Sequence, residues 1–599
     1  MKRRDFMKKT AASGTVLSGM GLSESLLPPD GESAVAGEDA YPIVGVCASN
    51  DPDLPEPAPL DALLTTRQIR DIVWRALDRD TSPRRLEAIV TRDSWVVIKP
   101  NIVTIPISQD DFGSGIAPSW NLVSEEDEGI EHWGLVTDLR VVKAVGEYLI
   151  ERIGPRRITI AEGGVWYSSG GKLKPEKFLD GWHCEWGGFD HLSYAGIVES
   201  LNRMDGETQA DIVDLNEDDA VYVTDYDPHK TGRGAFQFVP AKDPDGTSEK
   251  EPTRRKGIYL PKTIMERDIL ITCPVLKTHG SVGTTLFMKN FVGCVHSVTY
   301  TGKTHKVPIH KGSQFNLARG IADLACVINP DYGVAEGFWA TMSMHHGQNG
   351  VNINHNVVIA GGDLVAAEAV ANQAMGFNPL DFDLLRMCNM KKLGEWHPDK
   401  IRVAGPPISS IRVNYDRAAN KYVARGVRKW LMIGPVKKPL DGAAGLKPRL
   451  GEKLSGKTWL LLDGDAVIDQ IPMVTPPFNY KDNLLYPIPG SAGATKNSLF
   501  YLFLTINTPR KGSVGQLLIG LKGGTFRAFF NGIEKDYRRE PLRYDPTPSS
   551  FMKFHQGDNY LVLEVEKVND QKETVDIAVN ICDLDGDRLA DVTFAPPGE

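Results

Sequence analysis

At 599 residues, 41% of them hydrophobic and 24% charged, the chain holds enough apolar surface for several folded domains, which excludes a wholly disordered or low-complexity protein. Its formal net charge of −9, from 68 Lys and Arg against 77 Asp and Glu, leaves no global basic field to recruit nucleic acid or an anionic lipid surface. The seven cysteines are scattered, without a Cys-x-x-Cys pair; they read as buried small hydrophobes, with one or two disulfides as the alternative.

The chain opens Met-Lys-Arg-Arg-Asp-Phe-Met-Lys-Lys-Thr, continues through a weakly apolar stretch from Ala11 to Leu22, and reaches Ala34-Val35-Ala36, a small-x-small cleavage pattern. Residues 1–36 resemble a twin-arginine (Tat) export signal, with Arg3-Arg4, Phe6 and Lys8 as its core. The resemblance implies a Tat translocase as partner during export and a mature protein in the periplasm or outside the cell. It also suits a protein that folds around a cofactor before export, without naming one. No later apolar run approaches the roughly 18 residues that a transmembrane helix needs.

From Ile43 onward, short apolar runs alternate with helical patterns. Trp95-Val96-Val97-Ile98 and Ile158-Thr159-Ile160-Ala161 flank a helix carrying Val142, Val145, Leu149 and Ile153 on one face. Ile269–Thr272 and Asn356–Ala360 read as further buried strands, each followed by a helical pattern. This alternation predicts an α/β domain over 37–405, a mostly parallel open sheet with flanking helices, with residues 205–256 as a polar surface insertion. Residues 406–456, rich in Gly, Pro, Lys and Arg, read as a linker. Residues 457–599, with runs at Trp459–Leu462, Leu499–Ile506, Gln516–Leu521 and Tyr560–Glu566, read as an all-β sandwich or jelly roll. Phe530-Asn531-Gly532 marks a hairpin turn within it.

Polar residues recur at the predicted strand ends: Lys99-Pro100-Asn101, Glu162-Gly163, Lys277-Thr278-His279, Lys289-Asn290 and Glu336-Gly337. Ligands of open α/β sheets sit outside the carboxyl ends of the strands, so these groups can converge. Three lysines in one cleft repel unless an anion or carboxylate compensates. The cluster therefore predicts a phosphate-, sulfate- or carboxylate-bearing ligand, or a lysine whose pKa is lowered toward base function. Glu162 and Glu336 are the natural partners of those lysines.

These motifs occur in an order that resembles the family called domain of unknown function 362: Val97-Ile98-Lys99-Pro100-Asn101, Thr137-Asp138-Leu139-Arg140, Leu276-Lys277-Thr278-His279, Met288-Lys289-Asn290-Phe291-Val292-Gly293, Val334-Ala335-Glu336-Gly337 and Gly361-Gly362-Asp363-Leu364-Val365-Ala366. The resemblance spans about residues 43–405 and implies a fold and a pocket rather than a reaction. Many relatives carry a ferredoxin-like cluster domain that this chain lacks. The combined reading makes Lys277, His279, Glu162 and Glu336 candidates for chemistry, and Lys99, Asn101, Asp138, Lys289, Asn290 and Asp363 candidates for ligand binding. Asp138 and Asp363 also fit simple helix caps.

His296, His305, His310, His345 and His346 invite a metal reading, but none is paired at a metalloprotease-type spacing, and a basic loop at the pocket mouth is preferred; no metal ligand is assigned. Asp583-x-Asp585-x-Asp587 reads as a hairpin turn rather than a calcium loop. The sandwich resembles galactose-binding-like jelly rolls, which implies a glycan partner reached through an aromatic side chain. Tyr501, Phe529 and Tyr560 fit that role or the core. The expectation is an exported enzyme of unspecified cofactor that transfers protons or electrons on an anionic or carbohydrate-type small molecule. A non-catalytic anion or carbohydrate binder and a His-based metalloenzyme are the alternatives.

Overall fold

The computed structural model describes residues 41–102, 133–163, 182–183, 185–223, 258–280, 282–296, 314–342, 351–416, 426–470, 485–509, 512–538, 550–569, 572–582, 589 and 592–595. The export-signal segment 1–36 and the Asp583–Asp587 motif lie outside them, as does most of the expected insertion 205–256; Gln209–Asp214 within it is not a surface excursion but an edge strand of the central sheet, parallel to Arg157–Glu162. Among the described residues no helix is long and apolar enough to cross a membrane.

The first domain is built on a mixed, mostly parallel sheet of 11 strands. Strands β1 (Ile43–Ala48), β2 (Trp95–Pro100), β3 (Arg157–Glu162), β4 (Gln209–Asp214) and β5 (Ile269–Cys273) are joined by β6 (Val275–His279), β7 (Gly283–Thr285), β8 (Tyr332–Met342), β9 (Val351–Ile353), β10 (Val357–Gly361) and β11 (Arg402–Ala404). The spatial order is β11-β1-β10-β8-β5-β2-β3-β4, with β6, β7 and β9 paired beyond this path. The apolar runs expected as buried strands are buried along nearly their whole length, because helices cover both faces.

The helices follow from their sequences. Helix α1 (Thr66–Arg79) starts from a Thr65–Gln68 capping box and buries Ile69, Ile72, Val73, Ala76 and Leu77. Helix α2 (Leu139–Arg152) buries the predicted Val142, Val145 and Leu149 face, and Ile153 caps its end. Helix α3 (Tyr194–Asn202) covers β4; α4 (Phe287–Asn290), α5 (Gln314–Ile328) and α6 (Leu364–Ala374) pack together on the other side of the site.

Along this path one strand departs from the parallel pattern; β7 and β9, off it, are also antiparallel to their partners. β10 runs antiparallel to both neighbours, with Gly333 opposite Gly361 and Gly45 opposite Ala360. Its carboxyl end therefore lies at the sheet edge opposite to that of β2, β3 and β5. Sequence hydrophobicity could not reveal this, since a strand buried on both faces reads the same in either direction.

The second domain is a sandwich of two antiparallel sheets. Its strands are β12 (Lys429–Val436), β13 (Leu460–Asp463), β14 (Tyr486–Pro487), β15 (Leu499–Thr508), β16 (Val514–Lys522), β17 (Gly524–Phe530), β18 (Ile533–Arg538), β19 (Ser550–Lys553), β20 (Gly557–Lys567), β21 (Asp576–Cys582) and β22 (Thr593–Ala595). One sheet runs β13-β12-β15-β20-β17-β18, with β22 also on β15; the other runs β14-β21-β16-β19. Asn531 (φ 50°) and Gly532 (φ 82°) form the β17–β18 turn, the left-handed pair that the Asn-Gly sequence predicts. The supposed linker 406–456 is not only a linker. Its run Trp430-Leu431-Met432-Ile433 forms β12 and pairs with β15, Leu431 opposite Phe503, so the sandwich begins before residue 457. The flanking Gly, Pro and Lys residues mask that strand in the sequence.

Buried charges tie the two domains: Arg386 Nε lies 3.6 Å from Asp465 Oδ1, and Arg428 Nη2 lies 3.7 Å from Asp383 Oδ2. Cys47, Cys273, Cys294, Cys326, Cys388 and Cys582 are buried thiols, as their scatter suggests.

Tyr501 and Phe529 are buried and offer no face to a sugar; Tyr560 is partly buried beneath Lys447, whose Nζ is 4.1 Å from the ring centre. The Tyr501 hydroxyl donates to Glu564 Oε2 at 2.6 Å and accepts from Leu440 N at 3.0 Å. Tyr501→Phe strands both partners and is expected to lower stability by about 1–3 kcal/mol, measured as a shift in the urea midpoint.

Candidate functional site

Strand direction decides which candidates meet. β2, β3 and β5 are parallel neighbours, so Lys99, Glu162 and the chain entering β6 emerge at one edge. β8 is longer than its neighbours; after pairing with β5 it continues along β6, with Glu336 opposite Val275 and, past a bulge, Thr341 opposite Lys277. Lys277 and His279 are two residues apart on β6 and share a strand face.

Lys99 is fully buried and ion-paired with Glu162. Its ammonium also donates to Asn290 Oδ1 at 3.2 Å and to Pro100 O at 3.2 Å. Asn290 locks the assembly from α4, its Nδ2 donating to Thr272 Oγ1 at 2.8 Å and to Lys99 O at 3.2 Å. Gly293 lies directly over the ion pair: a Cβ there would stand 2.4 Å from Glu162 Oε1 and 2.7 Å from Lys99 Nζ. Any larger residue would have to displace the pair.

Lys277, 1% exposed, is held differently. Its Nζ donates to Asn101 Oδ1 and, at 2.7 Å, to Leu135 O. Burial first, and the Lys289 charge second, hold its pKa well below the ordinary lysine range. Asn101 is itself fixed by its backbone N–H donating to Thr137 Oγ1 at 2.8 Å. Lys289, on α4, keeps partial exposure at the residue level, while burial of its ammonium brings its pKa down to about 8.

Glu336 does not pair with a lysine. Its Oε1 accepts from Asp138 N at 3.2 Å and its Oε2 from Phe338 N at 2.9 Å. Burial, then the Asp138 charge, pushes its pKa up to about 8. Asp138 caps α2, accepting from Arg140 N at 2.9 Å, and its carboxylate is ion-paired with the Arg140 guanidinium at 2.7 Å. It is fully occupied as a cap and counter-ion. His279 is buried at the end of the β6–β7 hairpin, opposite Gly283.

Asp363 is not brought to this edge. It follows the reversed β10, so it caps α6 at the opposite end of the sheet, accepting from Ala366 N at 2.9 Å and Glu395 N at 3.1 Å. His296 is bonded through Nε2 to Asp218 O at 2.8 Å; His305, His310, His345 and His346 lie outside the described residues. Among the described residues no group of three or more His, Cys, Asp and Glu side chains is placed to hold a metal ion.

Thr272, Leu135 and Thr137 support the site without standing out in the sequence. Leu135 acts through its carbonyl, which no side-chain pattern discloses. Thr137 was legible only as part of a helix start.

The arrangement is thus a buried ion pair, a desolvated lysine held by two neutral oxygens, a second lysine near its titration point and an uncharged-leaning glutamate. Among curated proteins none matches the chain. The lactate racemase apoprotein from Thermoanaerobacterium thermosaccharolyticum is a structural neighbour at 15% identity and a TM-score of 0.23; the match covers 50% of this chain and 55% of that one. A PA14 sugar-binding domain from an RTX adhesin matches at 13% identity and a TM-score of 0.10, over 14% of this chain and 46% of that one. A beta-glycosidase from Bacteroides vulgatus matches at 16% identity and a TM-score of 0.14, over 25% and 19%. Residues 120–373, which hold most of the strand-end motifs, match the family model described as Domain of unknown function (DUF362).

Proposed function

We propose that this site binds a small molecule bearing a carboxylate, phosphate or sulfate group and moves a proton on it. Lys289 holds the anion and Lys277 accepts the proton. The hydrogen bonding of Lys277 carries this reading. A neutral amine has two N–H groups and one lone pair, and Lys277 has two neutral acceptors, Asn101 Oδ1 and Leu135 O. Both N–H groups are thereby used and the lone pair is left to take a proton. Burial favours that neutral form.

Glu336 supports the same chemistry. With its pKa near 8 it is mostly protonated at neutral pH, so it does not add a second negative charge against a bound anion. In the reacting complex a C–H bond next to the ligand's carbonyl or carboxyl group breaks, its proton forms an N–H bond with Lys277, and the electron pair moves onto the ligand oxygen. Reprotonation of the same carbon restores the lysine amine. His279, on the same strand face as Lys277, is the group through which the proton reaches solvent.

Sulfate is the appropriate probe because it stays dianionic across the relevant range. Lysine is charged below its pKa, so sulfate affinity measured by titration calorimetry is expected to hold below pH 8 and to fall about tenfold per unit above it. Lys289→Ala is expected to weaken binding at least tenfold at pH 7; unchanged binding overturns the anion assignment.

Proton transfer is read by incubating the protein in deuterium oxide with a panel of small carboxylic acids and sugar phosphates and following loss of C–H signal by NMR. Wild type is expected to exchange deuterium into at least one member, and Lys277→Met to lose that exchange while retaining sulfate binding. Sulfate binding with no exchange anywhere in the panel makes the protein a non-catalytic anion binder.

Residues 1–36 are proposed as a Tat signal, supported by the order of Arg3-Arg4, apolar stretch and small-x-small site. Replacing both arginines by lysine is expected to leave the full-length precursor in the cytoplasmic fraction, whereas the unaltered protein appears shortened in the periplasmic or external fraction.

A further inference from the structure

Helix α4 carries Lys289 and Asn290, yet nothing local caps it. Leu286 precedes it in an extended conformation (φ −139°, ψ −149°) and makes no side-chain cap bond. The first N–H groups of a helix have no intrahelical acceptor, and leaving one buried and unbonded is costly. The acceptor comes from elsewhere: Met288 N donates to Glu368 Oε2 at 2.7 Å, from a residue 80 positions later on α6. Glu368 is 2% exposed and is the only acidic residue in the run Leu364–Ala374, whose first seven residues are otherwise apolar. Asn372, one turn on, is bound into the same seam: its Nδ2 donates to Glu368 O at 2.9 Å and its Oδ1 accepts from Thr284 Oγ1 at 3.1 Å.

From this geometry we infer that Glu368 is a positioning residue of the anion site: it caps α4 from α6 and so fixes where Lys289 and Asn290 stand. Asn290 shows how little freedom α4 has, since its side chain reaches Lys99, Pro100 and Thr272 together. Phe291–Gly293 follows at once and places Gly293 over the Lys99–Glu162 pair. A shift of α4 would therefore loosen the ion pair and release Lys289 toward water. The inference rests on the reading of Lys289 as the anion holder, but its direct test needs no ligand.

The test is competitive acetylation of lysines across a pH series, with Lys289 read by mass spectrometry. In wild type, Lys289 is expected to titrate near its value of about 8. Glu368→Gln keeps a carbonyl oxygen for Met288 N and is expected to leave that midpoint in place. Burial pushes the Glu368 carboxyl itself up to about 8, so it titrates in the same range; Glu368→Asp keeps a carboxyl group but withdraws the oxygen by one methylene. It is expected to raise the Lys289 midpoint by at least one unit, so that the amine fraction at pH 8 falls about fivefold. Glu368→Leu, which removes the acceptor altogether, is expected to do the same. A purely electrostatic role predicts the opposite sign in Glu368→Leu and Glu368→Gln: the Glu368 carboxyl ionises around pH 8, and deleting that charge disfavours the ammonium and lowers the midpoint.

An unmoved midpoint in folded Glu368→Asp overturns the inference, as does a shift in Glu368→Gln equal to that in Glu368→Asp. Should Glu368→Leu not fold, the Asp and Gln pair still decides the matter. Sulfate titration of the same variants separates the two readings. A raised midpoint in a protein that never binds sulfate keeps Glu368 as a positioning residue and removes the anion-site reading. Normal sulfate binding with an unmoved midpoint does the reverse.

Discussion

A buried ammonium must find compensation, and in this protein the Lys99–Glu162 pair sets the terms for everything around it. The two residues end neighbouring parallel strands, so the sheet itself brings them together. Removing one partner of such a pair leaves an uncompensated buried charge, typically worth about 3–5 kcal/mol. The pair in turn needs its remaining donors and acceptors satisfied, which explains Asn290, and it needs room on its open side, which explains Gly293. α4 is thus held at both ends of its short length, by Asn290 toward the sheet and by Glu368 toward α6.

The three lysines of this cluster are made different by their partners rather than by their sequence. Lys99 has a carboxylate and stays an ion-pair member. Lys277 has only neutral oxygens and the repulsion of Lys289, so burial drives it toward the amine. Lys289 stands between these states. The carboxylates divide similarly: Glu162 is spent on Lys99, Asp138 on Arg140, and Glu336, bonded to backbone N–H groups instead of a cation, is left with a raised pKa. Burial thus brings Lys289 down and Glu336 up to about 8 alike, while Glu162 and Asp138 keep cationic partners.

The sequence made the frame of this site readable because its physics is local. Strand ends are marked by the loss of apolar character, and parallel strands align those ends, so Lys99, Glu162, Lys277 and Glu336 could be placed on one edge from pattern alone. Two things were hidden. Strand direction leaves no trace in a run buried on both faces, so Val357–Gly361 looked like another parallel strand, and Asp363 was gathered into the cluster with the rest. Backbone partners are invisible as well: the carbonyl of Leu135 and the amides of Asp138 and Phe338 decide the state of Lys277 and Glu336, and no side-chain motif encodes them. The Trp430–Ile433 strand was missed for a third reason, its short apolar run being diluted by turn-forming neighbours in a composition window.

The reversed strand is also what makes the far end of the sheet useful to the site. A helix that follows a parallel strand begins at the carboxyl edge and runs away from it. α6 follows β10, begins at Asp363 on the opposite edge, and runs back toward the cluster at 1.5 Å per residue. Its second turn therefore meets α4 from beneath, where Glu368 finds Met288 N, and its third turn brings Asn372 to Thr284 beside β6. Had β10 been parallel, the helix after it would have left the site edge rather than approached it, and the N-terminus of α4 would have lacked this acceptor. The same reversal that removes Asp363 from the ligand set thus supplies Glu368 to the N-terminus of α4.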